Sequence, residues 1–191
     1  YFSAVLDRKP ESYGSFHGNT QLADAKESKG TGAGMYFTFS NEQQEAVTAK
    51  IGLSYTSVEN ARINLQAEAE GKTFEDAKEQ AHQIWQEYLG RIEVETSKKE
   101  DKVKFYTGLY HALLGRGLAN DVNGAYPRND GSVGQLPMKE GKPQYNVYNT
   151  DAAWGAQWNL SQLWTLAYPE YMSEYVSSHI QAYKDAGWLA D

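Results

Sequence analysis

The chain has 191 residues, a formal net charge of −7, 40% hydrophobic residues, 13% aromatic residues and no cysteine. That length admits one large domain or two modest ones with a real core, and the lack of cysteine excludes disulfides and thiol chemistry without identifying a compartment. The acidic balance, with no gathered Lys/Arg patch, argues against a nucleic-acid or anionic-membrane partner, and no apolar run is long enough to span a bilayer.

The first third reads as β. Tyr1–Leu6, Met35–Phe39 and Ala46–Tyr55 are rich in β-branched and aromatic residues and are separated by Gly- or Ser-rich connections. In the third run Val47, Ala49, Ile51 and Leu53 alternate with Thr48, Lys50, Gly52 and Ser54, which predicts one core face and one solvent face. Three strands make a poor independent sheet, so partner strands are expected upstream of residue 1 and the chain reads as cut from a longer protein. Gly30-Thr-Gly32-Ala-Gly34 lacks the Lys-Ser/Thr of a phosphate loop and precedes a strand, so it is a hairpin loop.

Helical signals follow. Thr56-Ser-Val-Glu59 reads as a capping box opening a helix to about Glu68, and Thr73-Phe-Glu-Asp76 opens a second to about Leu89, with Ala77, Ala81, Ile84, Trp85 and Tyr88 on one side. Arg91–Glu95 reads as a short strand or extended link. Ser97-Lys-Lys-Glu100 is a further capping box, and the helix after it carries Val103, Tyr106, Leu109, Tyr110, Leu113 and Leu114 at spacings of three and four. Residues 118–144 form a loop-rich stretch long enough to be functional. Pro169 opens a last helix that is expected to turn Met172, Tyr175, Val176, Ile180 and Tyr183 inward and to stop at Gly187. The fold class expected from this order is α+β.

Between Tyr145 and Trp164 the chain puts together aromatic rings, amides and one carboxylate, Asp151. Rings stack on the C–H faces of sugars and Asp, Asn and Gln take paired hydroxyls, so the mixture suits a carbohydrate pocket. The same spacing also suits a buried helix: Trp154 and Trp158 are four apart, and Leu160, Leu163, Trp164 and Ala167 continue an apolar surface. Asp151 stands before that helix, where it caps free N–H groups or turns into a cleft. The four histidines are scattered and build no zinc site. Asp121-Val-Asn123-Gly124 and Asn129-Asp130-Gly131 carry oxygen ligands of the calcium type but not in the EF-hand order, so turn chemistry is the better account. Most other carboxylates mark helix starts. Asp151, with weaker claims from Asp121 and Asp130, is the one in an aromatic and amide setting, and one carboxylate is not the pair that glycoside hydrolysis needs.

Val47-Thr-Ala-Lys-Ile-Gly-Leu-Ser-Tyr-Thr-Ser-Val-Glu59-Asn-Ala-Arg-Ile-Asn-Leu65, Phe105-Tyr-Thr-Gly-Leu-Tyr-His-Ala-Leu113, Asp121-Val-Asn-Gly-Ala-Tyr126 and the 145–164 segment, in this order, resemble glycoside hydrolase family 92, the secreted bacterial exo-acting α-mannosidases. The resemblance implies a β-supersandwich joined through linker helices to an (α/α)6 toroid. On that mapping residues 1–56 are the last strands of the sandwich, 57–95 the helical linker and 96–191 the first part of the toroid. It further implies an inverting, Ca2+-dependent enzyme that releases terminal mannose from mannoside glycans, at a secreted, periplasmic or cell-surface location. The general acid Glu, the general base Asp and most calcium ligands would lie beyond Asp191, leaving no catalytic residue in the chain, which alone is expected to be inactive. Members commonly show Ser-Leu-Trp-Asp-Thr where this chain has Tyr148-Asn-Thr-Asp151-Ala152, so Asp151 takes the sugar-hydroxyl contact by position. Thr150 and Ala152 replace the motif's Trp and Thr, which marks a divergent branch in which Tyr148 or Trp154 would supply the ring stacking. Two alternatives share the composition: a non-catalytic carbohydrate-binding module, and another sandwich-plus-toroid enzyme such as a phosphorylase, glucoamylase-like hydrolase or lyase.

Overall fold

A computed structural model describes residues 1–40, 45–114, 117–149 and 153–189. The chain forms two compact units, one of residues 4–50 and one of residues 1–3 with 51–191. Small sheets and helices are both present, as an α+β reading requires.

In residues 4–50, strand β2 (Ser12–His17) pairs antiparallel with β3 (Thr20–Ala23) and with β4 (Ala33–Thr38). β4 answers the expected strand at Met35–Phe39, but the β2–β3 hairpin was not foreseen. Its signal is the Gly18-Asn19 turn between His17 and Thr20, which are register partners. Strand β1 (Phe2–Leu6) pairs with β5 (Ala49–Leu53), and Tyr1 and Ser54 exchange backbone hydrogen bonds at 2.8 and 3.1 Å. The alternation expected in β5 is inverted. Gly52 and Ser54 are buried, while Ile51 and Leu53 are 59% and 69% exposed. The cause is helix α1 (Val58–Ala69), which lies so close that a Cβ on Gly52 would collide with the Ala61 carbonyl oxygen and with Leu65.

α1 is capped by Ser57, whose side chain accepts from the Asn60 backbone N–H, one residue later than the box expected at Thr56. Thr56 is engaged elsewhere. Helix α2 (Phe74–Leu89) has the expected capping box of Thr73 and Asp76, though none of its residues is fully buried. α3 (Lys99–Leu113) lacks the box expected at Ser97; the Thr96 hydroxyl instead accepts from the Lys98 N–H. Residues 91–95 form a link without a strand that begins with a turn and a bend at 91–92, tied to α3 where the Tyr106 hydroxyl donates to the Ile92 carbonyl at 3.1 Å. The stretch expected as loop holds two hairpins, β6 (Ala125–Pro127) with β7 (Val133–Gln135), and β8 (Met138–Lys139) with β9 (Lys142–Pro143). A 3-10 turn over Ala153–Trp158 leads into α4 (Leu160–Ala167), and Pro169 opens α5 (Pro169–Ala186), closed by Gly187 in the left-handed conformation at φ 77°.

The core of this unit gathers Leu109, Trp164, Tyr168 and Tyr175, with Tyr88, Leu113 and Met172 packed against them. Trp164 is fully buried and meets Tyr171 and Tyr175 edge-on at 4.9 and 5.3 Å, so the packing account of that tryptophan holds. Trp158 departs from it at 74% exposure, because the 3-10 turn breaks the periodicity that would have carried it inward. On α5, Tyr175 and Ser178 are buried while Val176, Ile180 and Tyr183 are exposed. Arg91 staples the entry to α5: its guanidinium lies over the rings of Tyr88 and Tyr168 at 4.8 and 5.2 Å and pairs with Glu87 and Glu170.

Candidate functional site

Tyr148, one of the sugar-contact candidates, lies in a run that is tied down on two sides. Residues 145–149 are held on one side by the 117–119 backbone, with Ala119 N–H donating to Val147 O at 2.8 Å and Asn149 N–H to Gly117 O at 2.9 Å. On the other side α5 holds them: Tyr148 N–H donates to Ser178 Oγ at 3.0 Å, and the Tyr148 hydroxyl and Asn146 amide donate to Glu174 Oε2 at 2.6 and 2.9 Å. The Tyr148 ring is half-buried and stands edge-on to Tyr171 at 5.0 Å. Burial, and then the Glu174 carboxylate, push its phenol pKa well up, so it remains a hydrogen-bond donor across the physiological range. Asp151, with Thr150 and Ala152, lies outside the described residues, as does the side chain of Trp154, which belongs to the 3-10 turn. Of the three candidates, then, only Tyr148 has a described side chain.

Sequence reasoning undervalued Asp121. It is 2% exposed, and its carboxylate accepts from Ser54 Oγ at 3.0 Å and Thr56 Oγ1 at 2.5 Å on one oxygen and from Asn64 Nδ2 at 2.7 Å on the other. Hydrogen bonds to an ionised acceptor contribute about 1.5–3 kcal/mol each, so three of them make this a strong tether. The surrounding amides are occupied as well. Asn64 also donates to Leu53 O and accepts from Val122 N–H, and Asn60 donates to Thr56 Oγ1 and accepts from Asn123 Nδ2. A cleft of about 340 Å3 lined by Leu53, Tyr55, Asn64, Leu118 and Asn120 opens beside Asp121. The alternating Ser54-Tyr-Thr56 hydroxyls before a helix were the available signal, but the sequence alone reads Ser54 as a solvent-face strand position and Thr56 as a cap.

Turn chemistry accounts for the other oxygen-rich loop: Asp130 Oδ1 accepts from the Ser132 N–H and hydroxyl at 2.9 and 2.7 Å, which lowers the Asp130 pKa. Beyond it, the Tyr126 hydroxyl donates to Asp185 Oδ2 at 2.7 Å and accepts from Gln181 Nε2 at 2.8 Å, while Arg128 pairs with Asp185 at 3.3 Å. Burial, then Asp185, raises the Tyr126 pKa. These contacts fasten the β6–β7 hairpin to α5. Among the described residues no three His, Asp or Glu side chains converge as metal ligands, and the Asp121 carboxylate, filled by hydroxyl and amide donors, does not fit a calcium ligand.

Comparison with known proteins bears on what this arrangement belongs to. Residues 60–191 match the glycosyl hydrolase family 92 catalytic domain, and residues 1–54 match the family's N-terminal domain. No curated protein matches. Among solved structures, the family GH92 α-mannosidase BT3965 from Bacteroides thetaiotaomicron is similar at 21% identity and a TM-score of 0.82, over 97% of this chain and 25% of that one. The inverting mannosidase BT2199 of the same organism gives 24% identity and 0.77 over 99% and 25%, and the glycosyl hydrolase ccman5 24% and 0.85 over 97% and 24%. These are likenesses of fold, and the chain spans about a quarter of the length of each. With the catalytic-domain match alone covering more than half of the residues, the chain belongs to glycosyl hydrolase family 92.

Proposed function

We propose that the chain is part of a longer glycoside hydrolase that releases terminal α-linked mannose from glycans, contributing a wall of the mannose site through Asp151 but neither the general acid nor the general base. The match of residues 60–191 to the family's catalytic domain carries the reading. Structural neighbours described as mannosidases, one of them an α-mannosidase also solved in complex with mannoimidazole, support the sugar class. The clamping of Tyr148 and Asn149 between α5 and the 117–119 backbone supports the site, because a carboxylate that must meet two hydroxyls needs a fixed backbone leading into it. The calcium ion implied by the resemblance would take its ligands from outside the described residues. A secreted, periplasmic or cell-surface setting belongs to the proposal on the resemblance alone.

Asp151→Asn in the longer enzyme tests it. Asn caps a helix about as well as Asp, so as a cap the change is nearly neutral. As a sugar contact its loss strands buried hydroxyls at about 1–3 kcal/mol each, and about 1.4 kcal/mol is tenfold. The expected result is an unchanged Tm with α-mannoside hydrolysis down at least about tenfold. Equal activity in variant and wild type would reduce Asp151 to a cap.

A further inference from the structure

We infer that the consecutive pair Asn120-Asp121 is a positioning relay, fastening the segment that links the two family matches with one side chain and the segment that runs into Asp151 with the other. Its bearing on sugar contact rests on the function proposed above. The relay itself rests on geometry. The N-terminal family match ends at residue 54 and the catalytic match begins at residue 60. Of the three side chains that donate to the Asp121 carboxylate, Ser54 stands at the end of the first, Thr56 in the gap between them, and Asn64 just inside the second.

Asn120 works on the opposite side. Its Oδ1 accepts from Val147 N–H at 2.7 Å, and its Nδ2 donates to Asn146 Oδ1 at 3.3 Å and to the Asp121 carbonyl at 3.2 Å. Both residues are nearly buried, at 9% and 2% exposure. Leu118 bridges Tyr148 in strand fashion, and the two adjacent side chains bond to different segments, Asn120 to residues 146–147 and Asp121 to residues 54–64, so one peptide carries both fastenings. The Asp121 backbone is itself pinned, its N–H donating to Ala125 O and its carbonyl accepting from Gly124 N–H, both at 2.8 Å. A tilt of the 120–121 peptide therefore moves both contacts together. Asn146 passes the fastening on to Glu174 of α5, which also takes the Tyr148 hydroxyl. Loosening the 54–64 segment is then felt some 25 residues beyond Asp121 in sequence, at the residues that precede Asp151, and an Asp121 that merely fastened its own neighbours would produce no such effect.

Amide hydrogen exchange on the 191-residue chain decides this without reading activity, so failure of the relay and failure of the mannosidase reading are separable. Asp121→Asn replaces one of the two acceptor oxygens with an NH2 donor, so that either Asn64 or the Ser54 and Thr56 hydroxyls lose their acceptor, and the milder Thr56→Val removes one hydroxyl donor. In either variant, exchange at residues 54–64 and at the Val147 and Asn149 amides is expected to rise together, by about tenfold or more, while α3 amides near Leu109 stay protected. Faster exchange at 54–64 with 147–149 unchanged overturns the relay. Should Asp121→Asn unfold the chain, Thr56→Val carries the test alone: unchanged 147–149 amides there overturn it, and a joint rise sustains it.

Discussion

Hydroxyl groups in this chain divide into those that hold a neighbour and those that hold nothing, and the difference sets what their removal costs. Tyr148 donates to Glu174 at 2.6 Å, whereas the Tyr175 hydroxyl and the Trp164 Nε1 are buried with no hydrogen-bond partner among the described residues. Deleting a bond to a charged acceptor costs about 1.5–3 kcal/mol, while deleting an unsatisfied buried polar group is neutral or favourable. Tyr148→Phe is therefore expected to lower the denaturant midpoint and Tyr175→Phe to leave it unchanged or raise it. No loss in Tyr148→Phe would mean that ring packing alone places Tyr148. Residue character was legible at Trp164, whose helical spacing with Leu160 and Leu163 identifies a core position. It was not legible at Trp158, because its exposure depends on where a 3-10 turn gives way to an α-helix, and periodicity in composition carries no mark of that change.

Contacts between elements explain most departures from pattern. The alternation of β5 is regular in sequence, yet the face that packs is the one bearing Gly52 and Ser54, since α1 approaches at backbone distance and needs the face without side-chain bulk. Choosing between two faces of a strand requires knowing its neighbour, and here the neighbour begins only five residues after β5 ends. Gly52→Ala would press a methyl group into the Ala61 carbonyl and Leu65, and overpacking of this kind costs about 1–3 kcal/mol. A fall in Tm is expected, with the greatest rise in amide exchange in α1. No loss would show that β5 and α1 separate at little cost. Caps tell a similar story. The Thr73–Asp76 box was legible because both partners are local, whereas Thr56 was misassigned because its hydroxyl serves Asp121, 65 residues away.

At the scale of the whole chain, the resemblance of scattered short motifs identified the family, while composition and periodicity reached only as far as a β-rich first third followed by helices. The β-rich unit of residues 4–50 buries little, Gly14 and Ser15 being its only fully buried positions among the described residues. The other unit holds the aromatic core around Trp164. The proposed function places the machinery for bond cleavage outside these residues. Inverting glycoside hydrolysis needs an acid and a base about 6.5–9.5 Å apart across the sugar. Two carboxylates near the candidate site, Asp121 and Glu174, are each committed to donors from neighbouring elements: Ser54, Thr56 and Asn64 for the first, Asn146 and Tyr148 for the second. The expected outcome is that the 191-residue chain, folded and assayed with an aryl α-mannoside, gives a rate indistinguishable from the uncatalysed background. Hydrolysis at the rate of a full-length family member would instead place both the acid and the base within these residues.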